Sequence, residues 1–383
     1  MRWLVPCMLD KTQLHRYHVN HARMVEFAGF EMPIWYKGII PETLAVRERV
    51  GVFDVSHMGR GLVEGPNAEP FLNFVTTNDV SSLKPGQAHY SLLCNERGGI
   101  KDDIIVLKLE PDRFVVGFNA CNREKDVSWL KLNAERVDAE FTNISDQTAL
   151  ISLQGPKARS VFSSISSVDL SSISHFGCVQ TKVNESDCLV SETGYTGEEG
   201  FEVLVWDSPI TSPEKAEKIW SLMLESGREF GIEPCGLGSR DVLRLEAGMC
   251  LYGDDIDEGT SPYEARLGFT VRLTKTDFVG KGALLRQKSE VTKRLRVGLA
   301  VTSLGIPRAG CEIVKDTETV GKLTSGTYSP TLNRGIGMGY VPREYANDDE
   351  KLGIMTRGRV LESVVVKKFP FYPTDKYGWR RKT

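Results

Sequence analysis

Gly61-Leu62-Val63-Glu64-Gly65-Pro66-Asn67-Ala68, leading into Phe71, is echoed ninety residues later by Ile151-Ser152-Leu153-Gln154-Gly155-Pro156-Lys157-Ala158, leading into Phe162. Each copy reads as a strand, a Gly-Pro turn with Pro at the first helical position, and a short helix. Two related α+β units are the economical explanation of the echo, with chance similarity of so short a pattern as the alternative. Between the copies, Asp103 to Leu109 and Phe114 to Phe118 predict a hairpin around Glu110-Pro111-Asp112-Arg113. A helix follows from about Asn122 to Ala134, with Val127, Leu130 and Ala134 on one face.

The hairpin is entered through Asn95-Glu96-Arg97-Gly98-Gly99-Ile100-Lys101-Asp102-Asp103, a glycine turn that feeds a β-branched run and leaves two adjacent acids where loop becomes strand. Strand alternation puts Asp103 on a face with Ile105, Leu107 and Leu109, and Asp102 on a face with Ile104, Val106 and Lys108. Asp103 is therefore expected to be the buried acid. Gly194-Tyr195-Thr196-Gly197-Glu198-Glu199-Gly200-Phe201-Glu202-Val203 repeats the logic: Glu198 and Glu199 read as solvated turn residues, and Glu202 as the buried carboxylate.

With 383 residues and 40% hydrophobic content, the chain has room for two or three domains. Lys plus Arg total 48 against 51 for Asp plus Glu, which gives no general reason to expect nucleic acid or an anionic membrane as partner. The eight cysteines form no Cys-x-x-Cys pair, arguing against a zinc knuckle or redox dithiol and for a reducing compartment. Met1 to Leu9 offers too short an apolar patch for a signal peptide, and no run reaches the ~20 apolar residues of a membrane span. A cytoplasmic protein is expected.

His15, His18 and His21 have a metal-like spacing, but each helical step of three lags by about 60°, so a solvated helix face is the better reading and no metal is expected. Phe27 to Tyr36 is either core packing under a loop or an aromatic wall for a flat ligand. Pro41 opens a helix, and Ser212-Pro213-Glu214 starts another. Ser239 reads as an N-cap, which puts Arg240 in a first turn where the helix dipole disfavours a cation by about 0.3 to 1 kcal/mol. Either Asp241 compensates, or Arg240 meets an anion or carbonyl oxygen of a ligand. Gly335-Ile336-Gly337-Met338-Gly339 lies within an apolar β-like run and opens no helix, so it is no dinucleotide turn; a phosphate loop and a serine elbow are also lacking. From about Arg294, short β-like runs separated by Gly and Pro predict a small β domain. The basic, aromatic tail Lys376 to Thr383 is either solvated or a contact for a polyanionic ligand or an acidic partner protein.

Six motifs occur in order: Phe27-Ala28-Gly29-Phe30-Glu31-Met32-Pro33; Phe53-Asp54-Val55-Ser56-His57-Met58; Gly98 to Asp103; Gly194 to Glu198; Gly236 to Asp241 with Leu243 to Gly248; and Thr324-Ser325-Gly326-Thr327 before Ser329-Pro330. Together they resemble the T protein (aminomethyltransferase) family of the glycine cleavage system. Phe30 and Ser239 are mild departures, where the family more often shows Trp and Ala. The resemblance implies an α+β, three-lobed molecule. Two intertwined α+β subdomains would form a folate pocket (1–285), and a C-terminal antiparallel β-barrel-like domain would follow (286–383). It implies transfer of the methylene of an aminomethyl group from the lipoyl arm of H protein to tetrahydrofolate, giving 5,10-methylenetetrahydrofolate and ammonia, with lipoylated H protein as partner. By motif position Asp103 corresponds to the catalytic aspartate, Glu202 to the pterin-binding glutamate and Arg240 to a ligand-contacting arginine. Tyr90, Asn119, Tyr195 and Met58 map to further ligand contacts, and Tyr377 approximately to one near the C-terminus.

A pterin edge presents N3–H and a 2-amino group side by side, which one carboxylate can accept in two parallel hydrogen bonds. A poorly solvated carboxylate at Asp103 would stabilise the cation that develops as ammonia leaves. Without the resemblance, a turn cap would be the ordinary reading of Asp103. Three alternatives remain: another folate-dependent one-carbon transferase or demethylase, a non-catalytic folate-binding protein, and a domain of a flavin-dependent amine dehydrogenase. The full motif set, the acid at 103 and the lack of a dinucleotide-binding segment argue against them in turn.

Overall fold

A computed structural model describes residues 9–381, so all but the last residue of the Met1 to Leu9 segment lies outside the described residues. Each copy of the echoed motif starts a sheet. In the first, the strand Gly59–Glu64 leads to the helix Ala68–Val75, a 3-10 turn at Val80–Ser82, and the strands Gln87–Cys94, Ile100–Glu110 and Arg113–Phe118. In the second, Ala149–Gln154 leads to Ala158–Ser163, a 3-10 turn at Leu170–Ser172, and the strands Cys178–Val183, Ser186–Ser191 and Gly200–Val205. The four strands of each unit lie in one spatial order, second, third, fourth, first. Even the 3-10 turns match, with Asp79 and Asp169 each accepting from a serine N–H two residues on, at 3.1 and 2.9 Å.

The echo was therefore structural. Pro66 and Pro156 precede the first helical residue by two positions and belong to the turn itself, because Gly65 and Gly155 turn with φ +95° and +127°. A Cβ at Gly155 would also lie 2.6 Å from the Arg49 carbonyl oxygen, so the site requires glycine twice over.

Val50–Asp54 precedes the first unit in sequence yet pairs with Ala149–Gln154 of the second sheet, and Ile232–Pro234 pairs parallel beside it. Glu140–Asn143 completes the first sheet next to Gly59–Glu64. Helices cover one side of each sheet. Phe71, Leu72 and Leu130 pack on Ile104, Val106 and Phe114 in the first, and Phe162, Ile219 and Trp220 on Val50, Ile151 and Val203 in the second. The opposite sides face each other through Leu107, Val115, Leu189 and Leu204. The six strands Arg294–Val301, Arg334–Pro342, Glu318–Ser329, Glu312–Lys315, Lys351–Thr356 and Arg359–Val366 close into a barrel. The glycine run at 335–339 is one of its strands, and the helix Lys281–Ser289 precedes it.

Three local expectations change. His15–His21 is a helix, but His18 is fully buried between the Asp54 carboxylate at 2.8 Å and the Tyr36 hydroxyl at 2.7 Å, not on a solvated face. Phe27 to Tyr36 forms most of a two-stranded hairpin, with Met32 and Phe30 in the core. The helix at Pro41 is Ile39–Glu48 and begins two residues earlier, Glu42 accepting the backbone N–H groups of Tyr36, Lys37 and Gly38.

That helix carries Arg47, which is fully buried. Its Nε donates to Glu246 at 2.9 Å, its Nη1 to Glu198 at 3.0 Å and to the Thr196 carbonyl at 2.8 Å, and its Nη2 to the Leu243 carbonyl at 3.1 Å. Glu198 also accepts from the Gly378 N–H at 3.0 Å and from Arg381, and Glu246 from Ser329 and Thr331 of the barrel. Glu198 is thus no solvated turn residue: it is the anion that desolvated Arg47 requires. Replacing Arg47 with Met should lower stability by about 3–5 kcal/mol, because two buried carboxylates lose their shared cation. Denaturant unfolding measures this, and a loss below about 1 kcal/mol, the range of an exposed pair, would contradict it.

Candidate active site between the two sheets

Where the facing sheets part, they leave a cavity of about 600 Å3. The first sheet contributes Tyr90, Asp103, Ile105 and Asn119; the second contributes Ser191, Glu202 and Leu204; Tyr195, Arg240, Phe269 and Trp379 complete the walls. Strand alternation decides this lining. Asp103 points between the sheets with Ile105 and Leu107, while Asp102 points under the helices with Ile104 and Val106.

The expectation that Asp103 would be the more buried acid is corrected here. Asp102 is fully buried, whereas Asp103 retains some exposure because its face of the strand borders a cavity and not a packed core. The turn before it is set by Asn95, whose Oδ1 accepts the N–H groups of Arg97 and Gly99, both at 3.0 Å. A Cβ at Gly99 would lie 1.9 Å from the Glu258 carbonyl oxygen, so only glycine admits that neighbouring loop. Asp103 Oδ2 accepts from the Tyr90 hydroxyl at 2.9 Å, and Oδ1 from Asn119 Nδ2 at 2.8 Å. Burial, followed by the charge of Asp102, pushes the Asp103 carboxyl up to about 7, although both hydrogen bonds favour its charged form.

On the opposite sheet Glu202 accepts a 2.6 Å hydrogen bond from Thr193, whose hydroxyl also shares a 2.7 Å hydrogen bond with Ser191. Arg240 lies over the Tyr195 ring, its guanidinium carbon 4.8 Å from the centroid, and its buried Nη1 has no hydrogen-bond partner among the described residues. Burial lowers its pKa, with the charge of Glu202 opposing that shift. Ser239 is not the N-cap of this helix. Leu237–Ala247 starts after Gly236, and the Ser239 hydroxyl turns back to the Gly236 carbonyl at 2.9 Å. Asp241 does not compensate Arg240 either, because it pairs with Arg244 at 2.7 Å. Arg240 lines the cavity and is half-buried, so its guanidinium is available to a ligand's oxygen.

Met58, Tyr90, Asn119 and Tyr195 all line the cavity. Tyr377 does not: it packs edge-on against Tyr372, at 6.2 Å between ring centroids, and Trp379 of the same segment reaches the cavity instead. Trp379 stacks on His175 at 4.2 Å, so the basic, aromatic tail is held to the body of the protein as far as it is described, Lys382 and Thr383 lying outside the described residues. Phe269, stacked on Tyr90, had no signal in the sequence, since a lone aromatic in the short 3-10 turn Gly268–Thr270 matches no pattern. No residue of the Phe27 to Tyr36 stretch lines the cavity, which decides for packing over a ligand wall.

Residues 14–275 match the family model of the GCVT N-terminal domain, and residues 294–373 that of the glycine cleavage T-protein C-terminal barrel domain. The chain is 45% identical over 365 residues to an aminomethyltransferase of Thermotoga maritima, covering 95% of this chain and 98% of that protein. It is 46% identical over 358 residues to an aminomethyltransferase of Chloroherpeton thalassium, covering 93% and 97%. The crystal structure of glycine cleavage system aminomethyltransferase T from Bartonella henselae matches with a TM-score of 0.88 at 32% identity, over 97% of this chain and 99% of that one. With both of its domain models matched in order and relatives alike over nearly the whole chain, this protein belongs to the glycine cleavage T-protein family of aminomethyltransferases.

Proposed function

We propose that this aminomethyltransferase takes the aminomethyl group carried on the lipoyl arm of H protein and passes its methylene to tetrahydrofolate, releasing ammonia and the reduced carrier arm. The observation that carries this reading is that two carboxylates from opposite sheets, Asp103 and Glu202, line one cavity with a partly unsatisfied arginine. The donor set fits a pterin. Glu202 would accept the paired N3–H and 2-amino donors, and Arg240 would supply an N–H to a ligand oxygen. Tetrahydrofolate, as acceptor substrate, would supply the nucleophilic nitrogen.

Asp103 would face the reacting carbon. Its burial leaves few waters to screen it, so its negative charge would act strongly on the cation that develops as ammonia departs. Tyr90 and Asn119 fix both of its oxygens, so little reorganisation would accompany the charge change. Phe269, 63% exposed, and Trp379, 40% exposed, would form the rim through which the carrier arm reaches this carboxylate. We place the protein in the cytoplasm; among the described residues no helix is long and apolar enough to cross a membrane.

The decisive assay mixes the protein with aminomethyl-loaded H protein and measures ammonia release with and without tetrahydrofolate. Folate-independent release at the full rate would sink the reading. Asp103→Asn should retain folate binding and lose about 10²–10³-fold in turnover, the loss expected for one electrostatic group in a closed site. Because its folded pKa is raised, ionised Asp103 lowers stability as pH climbs from the usual carboxylate range to about 7. Asp103→Asn should therefore melt higher than the native protein above pH 7 and alike near pH 4; the reverse order would contradict the burial argument. Glu202→Ala should weaken tetrahydrofolate binding by about 1.5–3 kcal/mol, measured by titration. Tyr90→Phe removes a donor that favours the charged form, so the rising limb of the pH–rate profile should move to higher pH; an unmoved limb would exclude that hydrogen bond from the mechanism.

A further inference from the structure

On the far side of the Asp103 strand lies a carboxyl that the transfer itself does not use. Asp126 occupies the first turn of the helix Arg123–Glu135, is fully buried, and among the described residues has no hydrogen-bond donor on either carboxyl oxygen. Its immediate partner is Asp102, within hydrogen-bonding reach. Asp102 already accepts from Asn119 N–H at 2.9 Å, Asn119 Nδ2 at 2.8 Å and Asn122 Nδ2 at 2.7 Å.

The cations nearby are engaged elsewhere. Lys125 donates to the Lys101 carbonyl at 2.6 Å and the Tyr252 hydroxyl at 3.0 Å, and both lysines lie towards Glu258, at 3.6 Å for Lys101 and 3.5 Å for Lys125. Cys121, Asp103 and Tyr252 are further titratable groups facing the Asp102 carboxylate. Two neighbouring carboxylates out of water, with no cation among the described residues bonded to either, are far more stable when they share one proton. The donors decide where it sits. Asp102 accepts three N–H hydrogen bonds and Asp126 none from the described residues, and burial and the charge of Asp102 push Asp126 up to about 10.

We propose that Asp126 is a positioning residue: a neutral carboxylic acid that donates its proton to Asp102 and so sets the charge and placement of Asp103 through the Asn119 amide that bridges the two acids. Asn119 Nδ2 lies 2.8 Å from an oxygen of each. With Asp126 neutral, Asp103 faces one negative neighbour; with Asp126 charged, it would face two and hold its proton to higher pH. The inference rests on the reading of Asp103 as the acting carboxylate, and its test separates the two.

Asp126→Asn supplies the same donor without a proton, so kcat/KM should stay within about twofold of the native value and the pH–rate limb should not move. Movement of that limb to lower pH would mean that the native Asp126 is charged, and would overturn the proposal. Asp126→Ala removes the donor and strengthens the field of Asp102, so the limb should move up by about one unit, with about a tenfold loss below it. An unmoved limb in a folded Asp126→Ala protein would show Asp126 to be packing alone. Should that variant fail to fold, infrared difference spectra of the native protein against Asp126→Asn at pH 8 should show a carboxylic-acid carbonyl band present only in the native protein, and absence of the band overturns the proposal. If Asp103→Asn keeps native turnover, the reading of Asp103 fails by itself, and the infrared band still decides the state of Asp126.

Discussion

A guanidinium removed from water must be surrounded by acceptors, and the structure is assembled around that requirement at Arg47. Its acceptors come from the turn at 194–200 and from the helix Leu237–Ala247, and those carboxylates in turn hold the barrel and the C-terminal tail. The Tyr372 ring lies 4.4 Å from the guanidinium and closes the remaining face. Desolvating such a group costs several kcal/mol, and two carboxylates with full hydrogen bonding offset it. The turn carries Tyr195 and the helix carries Arg240, so this buried pairing outside the cavity sets the relation between two of its walls.

The second organising constraint is the period of the strand. Adjacent acids at 102 and 103 must face opposite sides, so one enters the polar seam beneath the helices and the other enters the cavity. Asn119 reaches both through a single amide. The two environments separate the acids chemically, Asp102 saturated by N–H donors and Asp103 held up near neutrality by burial and by its neighbour.

Much of this was legible in the sequence. The echo at Gly61 and Ile151 marked two units of one topology, the hairpin and the helix after it fell where periodicity put them, and the glycine and proline texture after Arg294 marked the barrel. Faces were legible as well, but burial was not. Parity placed Asp103 with Ile105 and Leu107 without revealing that this face borders a cavity. Glu198 looked solvated because its cation lies 151 residues away in the chain, and His18 looked exposed because its acceptor is Asp54. Polar side chains in tertiary networks are the ones that composition and spacing misjudge, since local rules assign them to water.

The strand Val50–Asp54 has a consequence for how this chain reaches its final form. It is synthesised before the first sheet, yet its partner in the second is Ala149–Gln154, with Asp54 opposite Ile151, ninety-seven residues on. The early strand therefore has no partner in its sheet until the whole first sheet has emerged. Closing a loop of that length carries an entropic cost that local hairpins avoid. No single cut between the two units releases a complete half: the chain is threaded through both, and the lobes that enclose the cavity are inseparable by descent along the backbone.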